Sequence, residues 1–251
     1  MSGHSKWATI KHKKGAADAK RGKIFSRIAK EITVVVKASG GDPNNNPTLR
    51  TLIQKAKSVN MPNDNIDRAV KKGTGELQAE TYEEVSYEGY AGGGVGIVVK
   101  ALTDNKNRAA AEIRNIFKKN NSDFAALGAV SRNFERKGTI LIAREGRDED
   151  ALMELVLNAG ADDMNSDDDG FEITCGTPAA YNEVSAALEK AGIPAVSSEY
   201  GLKPTVTVNV TDVALAKSVM KFVSHLEDND DVQDVYHNMN VDDSIADQLD
   251  E

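Results

Sequence analysis

The sequence has one cysteine, Cys175, so no disulfide can form within the chain, which fits a reducing cytoplasm. Aromatic residues make up only 5%, with a single tryptophan, Trp7. No apolar run approaches the ~18 residues of a membrane span. The first residues are basic but lack the apolar stretch of a secretory signal, and they are lysine-rich where a mitochondrial leader is rich in Arg and Ser. The four histidines, His4, His12, His225 and His237, make no metal spacing. There is no Gly-Lys-Ser/Thr loop, no GxGxxG opening a helix, no zinc-finger spacing and no Ser-His-Asp arrangement. These absences predict a cytoplasmic protein that is not an enzyme, holds no cofactor or metal and has no membrane partner.

What is present is an uneven distribution of charge. Residues 1–37 hold ten Lys and Arg against two acids, Asp18 and Glu31, although the whole chain carries −8. Residues 1–80 sum to +9 and residues 81–251 to −17. Such asymmetry points to a polyanion at the basic end. Candidate contacts are Lys6, Trp7, Lys11, His12, Lys13, Lys14, Lys20, Arg21, Lys23, Arg27 and Lys30. The cations would neutralise backbone phosphates, and His4, Trp7 and His12 would stack on exposed bases. A frayed tail with a solvated helix face is the plainer account, and Trp7 would serve equally to anchor the arm onto the protein.

Hydrophobic periodicity predicts the elements. Residues 1–19 read as an extended or partly helical arm. A helix follows from about Asp18 to Ser39, with Ile24, Phe25, Ile28, Ile32, Val35 and Val36 on one side. Lys20, Lys23, Arg27, Lys30 and Lys37 lie on the other. Further helices are expected from Asn46-Pro47 to Val59 and from Asp64 to Lys72. Strands are expected at 85–90, 95–103, 129–135, 139–143, 161–165, 171–175, 195–198, 205–210 and 232–237. Helices are expected at 106–119, 148–159, 178–191 and 212–226.

The predicted class is therefore α+β with three domains. A basic helical domain spans 1–78. A discontinuous α+β domain spans 79–137 with 204–240. A βαββαβ domain, 138–203, is inserted in it, and both α+β domains follow the ferredoxin-like plan. The discontinuous one is assembled from the strands at 95–103, 129–135, 205–210 and 232–237. Residues 241–251 read as an acidic disordered tail.

Other signals have plainer readings. The join Asn60-Met-Pro-Asn63 resembles a helix-turn-helix, but Asp64 and Asp67 stand where a recognition helix would meet base edges. The glycine run at 89–96 reads as a hairpin turn. The acidic cluster at 162–169 fails as a calcium loop, because Gly176 falls where a bidentate Glu is required. Cys175 alternates with Phe171 and Ile173 and reads as core.

The run Gly3-His-Ser-Lys-Trp-Ala-Thr-Ile-Lys-His-Lys-Lys14, with Asp18-Ala-Lys-Arg-Gly-Lys-Ile-Phe25, resembles the YebC/PmpR family, which includes the mitochondrial translational activator of cytochrome c oxidase. Gly41-Asp-Pro43, Asn60-Met-Pro62, Tyr87-Glu-Gly-Tyr90, Leu102-Thr-Asp-Asn105, Asn107-Arg108 and Phe134-Glu-Arg-Lys-Gly138 carry the same resemblance. It implies a three-domain, cytoplasmic, non-enzymatic protein, and its basic signature falls on Lys6 to Lys23. Bacterial members are generally assigned as DNA-binding transcriptional regulators. The mitochondrial branch and some bacterial members resemble ribosome-associated translation factors that help difficult stretches such as proline runs. The sequence departs at Asn120-Asn121 and Asp123–Ala129, where a glycine-rich stretch is usual, and at Arg132-Asn133. The expected partner is thus nucleic acid, either DNA or a structured rRNA or tRNA on the ribosome. A protein-only adaptor using the acidic domains is the weaker alternative.

Overall fold

A computed structural model describes residues 21–78 and 80–249. The first described helix, α1 (Arg21–Ser39), buries Ile28, Ile32 and Val36. It stops at Gly40, whose φ of +88° is left-handed and costs glycine little. The helices α2 (Pro47–Ser58) and α3 (Asn63–Thr74) complete a helical region with its own apolar cluster. Buried Asn46 caps α2, accepting from the Leu49 N–H at 3.1 Å, and its amide donates to Gly40 O at 2.8 Å. One side chain thus fixes the α1–α2 turn. Helices α1 and α3 cross closely at Gly73, where a Cβ would lie 2.6 Å from Val36 Cβ.

The first sheet contains β1 (Glu83–Tyr90), β2 (Gly96–Thr103), β3 (Asp123–Ala125) and β9 (Val232–His237) in the spatial order β3-β1-β2-β9, all antiparallel. Helices α4 (Lys106–Lys119) and α7 (Val213–Glu227) supply its core, where Phe117 meets Phe222 edge-on at 4.9 Å. The second sheet contains β4 (Phe134–Ala143), β5 (Asp163–Ser166), β6 (Gly170–Cys175) and β7 (Ser197–Pro204) in the order β5-β6-β4-β7. Helices α5 (Glu149–Asn158) and α6 (Pro178–Lys190) pack against it. That order is the ferredoxin-like one. Cys175 is buried in this core, as its alternation predicts, and burial chiefly, with Asp162 nearby, pushes its thiol up to about 11.

The mixed α+β class is as expected, but several elements differ from the reading of the sequence, among them β3, which was not expected, and β7, which runs on to Pro204 from an expected 195–198. Residues 129–133 are not a strand. They form turns that end in a short 3₁₀ segment at Ser131–Asn133, and β4 starts only at Phe134. Strand β4 then runs unbroken through Gly138, the expected join between two domains. Gly138 is needed for packing, since a Cβ there would come within 2.5 Å of the Tyr181 ring.

The segment 205–210 is a strand only at β8 (Val208–Val210), which pairs in parallel with β10 (Met239–Val241) outside both large sheets. Its place in the first sheet is taken by β1. That sheet keeps the ferredoxin-like spatial order, but the chain enters it one strand early. Alternation identifies a strand without naming its partner, and this is why the placement was missed.

The expected disordered tail is folded as far as Leu249, with α8 (Asp243–Ala246) and a 3₁₀ turn at Asp247–Leu249. Val241, Ile245 and Leu249 are buried in the first sheet's core, apolar side chains set among acids.

Candidate nucleic-acid interface

Of the eleven expected contacts, Lys6, Trp7, Lys11, His12, Lys13, Lys14 and Lys20 lie outside the described residues. Arg21 opens α1. The other three, Lys23, Arg27 and Lys30, are brought together on one face of α1 at the i, i+4, i+7 spacing. They face the C-terminal end of α7.

Lys23 Nζ donates to Asp228 O at 2.7 Å and lies 3.9 Å from the Asp230 carboxylate. Arg27 donates to Glu227 O. Lys30 Nζ donates to Asp230 O at 2.9 Å and to Asp231 Oδ1 at 3.4 Å. Two physical terms favour this match. The last carbonyls of a helix have no intrahelical donor and carry the negative end of its dipole. The segment 227–231 also adds four acids to those carbonyls.

Asp231 is the centre of the arrangement and is 4% exposed. Beyond Lys30, it accepts from Arg108 Nη2 at 2.8 Å and from the buried Thr103 hydroxyl at 3.0 Å. Burial alone would raise its pKa. The bonds from Arg108 and Thr103 and the charge of Lys30 outweigh that and hold it below the usual carboxylate value. Arg108 also meets Asp104 at 2.7 Å, and Asn105 caps α4 by accepting from Arg108 N at 3.1 Å. The motif residues Leu102–Asn105 and Arg108 thus build the acidic seat into which α1 places its cations. Lys30 also lies 5.5 Å from the centre of the Tyr82 ring. Burial, with the bond to Glu80, pushes the Tyr82 hydroxyl up to about 12.

The seat was not among the expected site residues. Its signal was the Leu102–Asn105 and Asn107-Arg108 pattern, which had a family match but no role, and Asp231 had no sequence signal at all. The helical region presents other cations. Lys37, Lys57, Arg68, Lys71 and Lys72 are exposed and make no ion pair among the described residues. Asp64 and Asp67 stand exposed at the start of α3.

A second motif holds the segment that departs from the family pattern. Glu88 of Tyr87-Glu-Gly-Tyr90 is 1% exposed and accepts from Gly128 N at 2.9 Å, Val130 N at 2.7 Å and Ser131 N at 3.0 Å. Burial would raise its pKa, but these bonds hold it below the usual value. Tyr90 donates to Ala129 O at 3.1 Å. Gly89 admits the Phe117 ring, which would lie 2.2 Å from a Cβ. The loop so anchored presents Leu127 at 74% exposure.

Among the described residues no helix is long and apolar enough to cross a membrane, and no group of three or more His, Cys, Asp or Glu is placed to hold a metal. The fold and the seam together define a class of α+β proteins in which a cationic helical region is fastened by its first helix to a two-sheet body. Residues 5–76 match the model of the TACO1/YebC N-terminal domain, and residues 82–239 that of the TACO1/YebC second and third domain. The chain belongs to the TACO1/YebC family.

Relatives from Desulfotalea psychrophila and Geobacter sulfurreducens are 49% and 50% identical, over 99% and 96% of both chains respectively. A third, from Natranaerobius thermophilus, is 51% identical over 98% of both. Each is named a probable transcriptional regulatory protein. A crystal structure of a conserved hypothetical protein from Aquifex aeolicus is 43% identical, with a TM-score of 0.78 over 90% of this chain and 93% of that one.

Proposed function

We propose that this protein regulates gene expression by binding nucleic acid, with DNA as its target, and that residues 1–20 make the main contacts to the phosphate backbone. It works by binding and not by catalysis. The observation that carries this reading is the charge division of +9 over residues 1–80 against −17 over the rest. Each Lys or Arg that replaces a counterion on a phosphate adds sequence-independent affinity. Lys23, Arg27 and Lys30 already have oxygen partners, which moves the first contact to the arm. The names of the relatives support a role in transcription.

One observation favours a second reading, in which the arm meets structured RNA in a ribosome-associated translation factor. The start of α3 is acidic, so the helical region offers no base-reading helix, and structured RNA is held without one. Crosslinking in cells, followed by sequencing of all bound nucleic acid, separates the two. Enrichment of promoter DNA supports the first reading. Enrichment of rRNA or tRNA replaces it with the second, and recovery of neither leaves a protein-only adaptor.

A further inference from the structure

The cations of α1 are not waiting in solvent; they are occupied. Lys23, Arg27 and Lys30 are met by a run of oxygens from Glu227 O to Asp231 Oδ1. Carbonyl and carboxylate oxygens that accept from Lys and Arg offer the same hydrogen bonding as phosphate oxygens, with less charge.

The seam around this contact is loosely filled. The apolar cluster of the helical region is confined to residues 24–70 and does not merge with either sheet's core. Two clefts of about 400 and 430 Å³ lie where the helical region meets the sheets. Elsewhere across the seam the Thr51 hydroxyl donates to Asn182 Oδ1 at 3.3 Å. The chain connection is the segment 75–82, whose described residues are exposed except Tyr82.

We propose that the C-terminal end of α7 is a built-in competitor for nucleic acid. It covers the cationic row of α1, and a phosphate backbone captured by the arm displaces it, freeing the helical region to turn on the 75–82 segment. This rests on the nucleic-acid reading above and gives that site its regulation. Displacement exchanges these oxygens for phosphates and splits neither sheet's core nor that of the helical region, and the ion contacts that hold the closed form are ones that salt weakens. The α1 row then adds its three cations to those of the arm, making binding two-stage.

The test uses the full chain. In the first arm, Asp228→Asn/Asp230→Asn, which keeps the backbone acceptors and removes the carboxylate charge that reinforces them, is compared with Asp162→Asn/Asp163→Asn, an equal charge change at the outer strand of the second sheet. Affinity for a 30-base-pair duplex and for a structured RNA hairpin is measured at low salt. The Asp228/Asp230 variant is expected to bind at least threefold more tightly than the control variant. In the second arm, dyes at Gln54→Cys on α2 and Lys217→Cys on α7 report the distance across the seam, Cys175 being buried from label. Transfer efficiency is expected to fall when the chain is saturated with whichever nucleic acid binds. Binding with unchanged efficiency, or equal affinities of the two variants, overturns the competitor and leaves the function standing. Failure of the wild type to bind either nucleic acid overturns the function and the competitor with it.

Discussion

Arg108 and Asp231 stand 123 positions apart in the chain, and their side chains meet at 2.8 Å. Asp231 brings Thr103 and Lys30 to the same carboxylate, so one residue ties α1, the start of α4 and the end of α7 together. Asp231→Ala leaves the buried Thr103 hydroxyl without this acceptor. It also takes the charged acceptor from Arg108 and Lys30, and is expected to destabilise the protein by about 2 kcal/mol, the scale of a hydrogen bond to a charged group. Arg108→Ala is expected to cost less, because the arginine side is solvated and screened. Urea denaturation of both variants checks the order, and equal losses would contradict it.

Glu88 is expected to act as a pH-dependent anchor. Its folded pKa, like that of Asp231, lies below the unfolded value of about 4 for carboxylates. Both therefore contribute stability that is present above that value and is lost as pH falls through the lowered folded one. Glu31 acts in the opposite sense, its pKa being raised chiefly by burial. Glu88→Gln places an amide against three N–H donors and is expected to cost about 1–3 kcal/mol. It should also flatten the acid limb of the stability profile and speed hydrogen exchange at Gly128, Val130 and Ser131. Exchange unchanged at those amides would count against the anchor.

The folded segment after β10 is expected to matter to the whole first sheet. Leu249→Ala and Ile245→Ala each remove a side chain from that core and are expected to cost about 2–4 kcal/mol. A chain stopped at Val241 should melt at a clearly lower temperature. An unchanged midpoint in calorimetry would show that these residues add nothing.

Deletion of residues 1–20 is expected to abolish nucleic-acid binding while leaving the midpoint of unfolding in place. In the full chain, about six phosphate contacts would cost roughly a thousandfold in affinity between 50 and 200 mM salt. Fluorescence anisotropy measures both, and a flat salt response would argue for a protein partner.

The helices were legible because apolar residues recur at helical spacing and because caps such as Asn46, Asn105 and Asp212 announce their starts. The second sheet's order followed from its βαββαβ succession. The first sheet's did not, because the hairpin turn at 89–96 joins β1 to β2 but nothing local says that the other edge of β1 takes β3. Gly138 looked like a boundary because the contact that requires it, Tyr181, lies 43 residues away. The cations of α1 were read correctly as a face, but a face shows its occupant only in three dimensions. The partner is a helix end about 200 residues on.

The insertion of one sheet within the other bears on how the chain is made. Strand β2 finds its outer neighbour only in β9, and residues 104–231 must be synthesised between them. At ~5–20 residues per second of translation, the open edge of β2 waits on the order of ten seconds on a nascent chain. The inserted unit, whose strands are all contiguous in sequence, can close during that interval. The helical region and the inserted unit can thus each close while β2 still waits, and α1 acquires its seat only when residues 227–231, just ahead of β9, arrive.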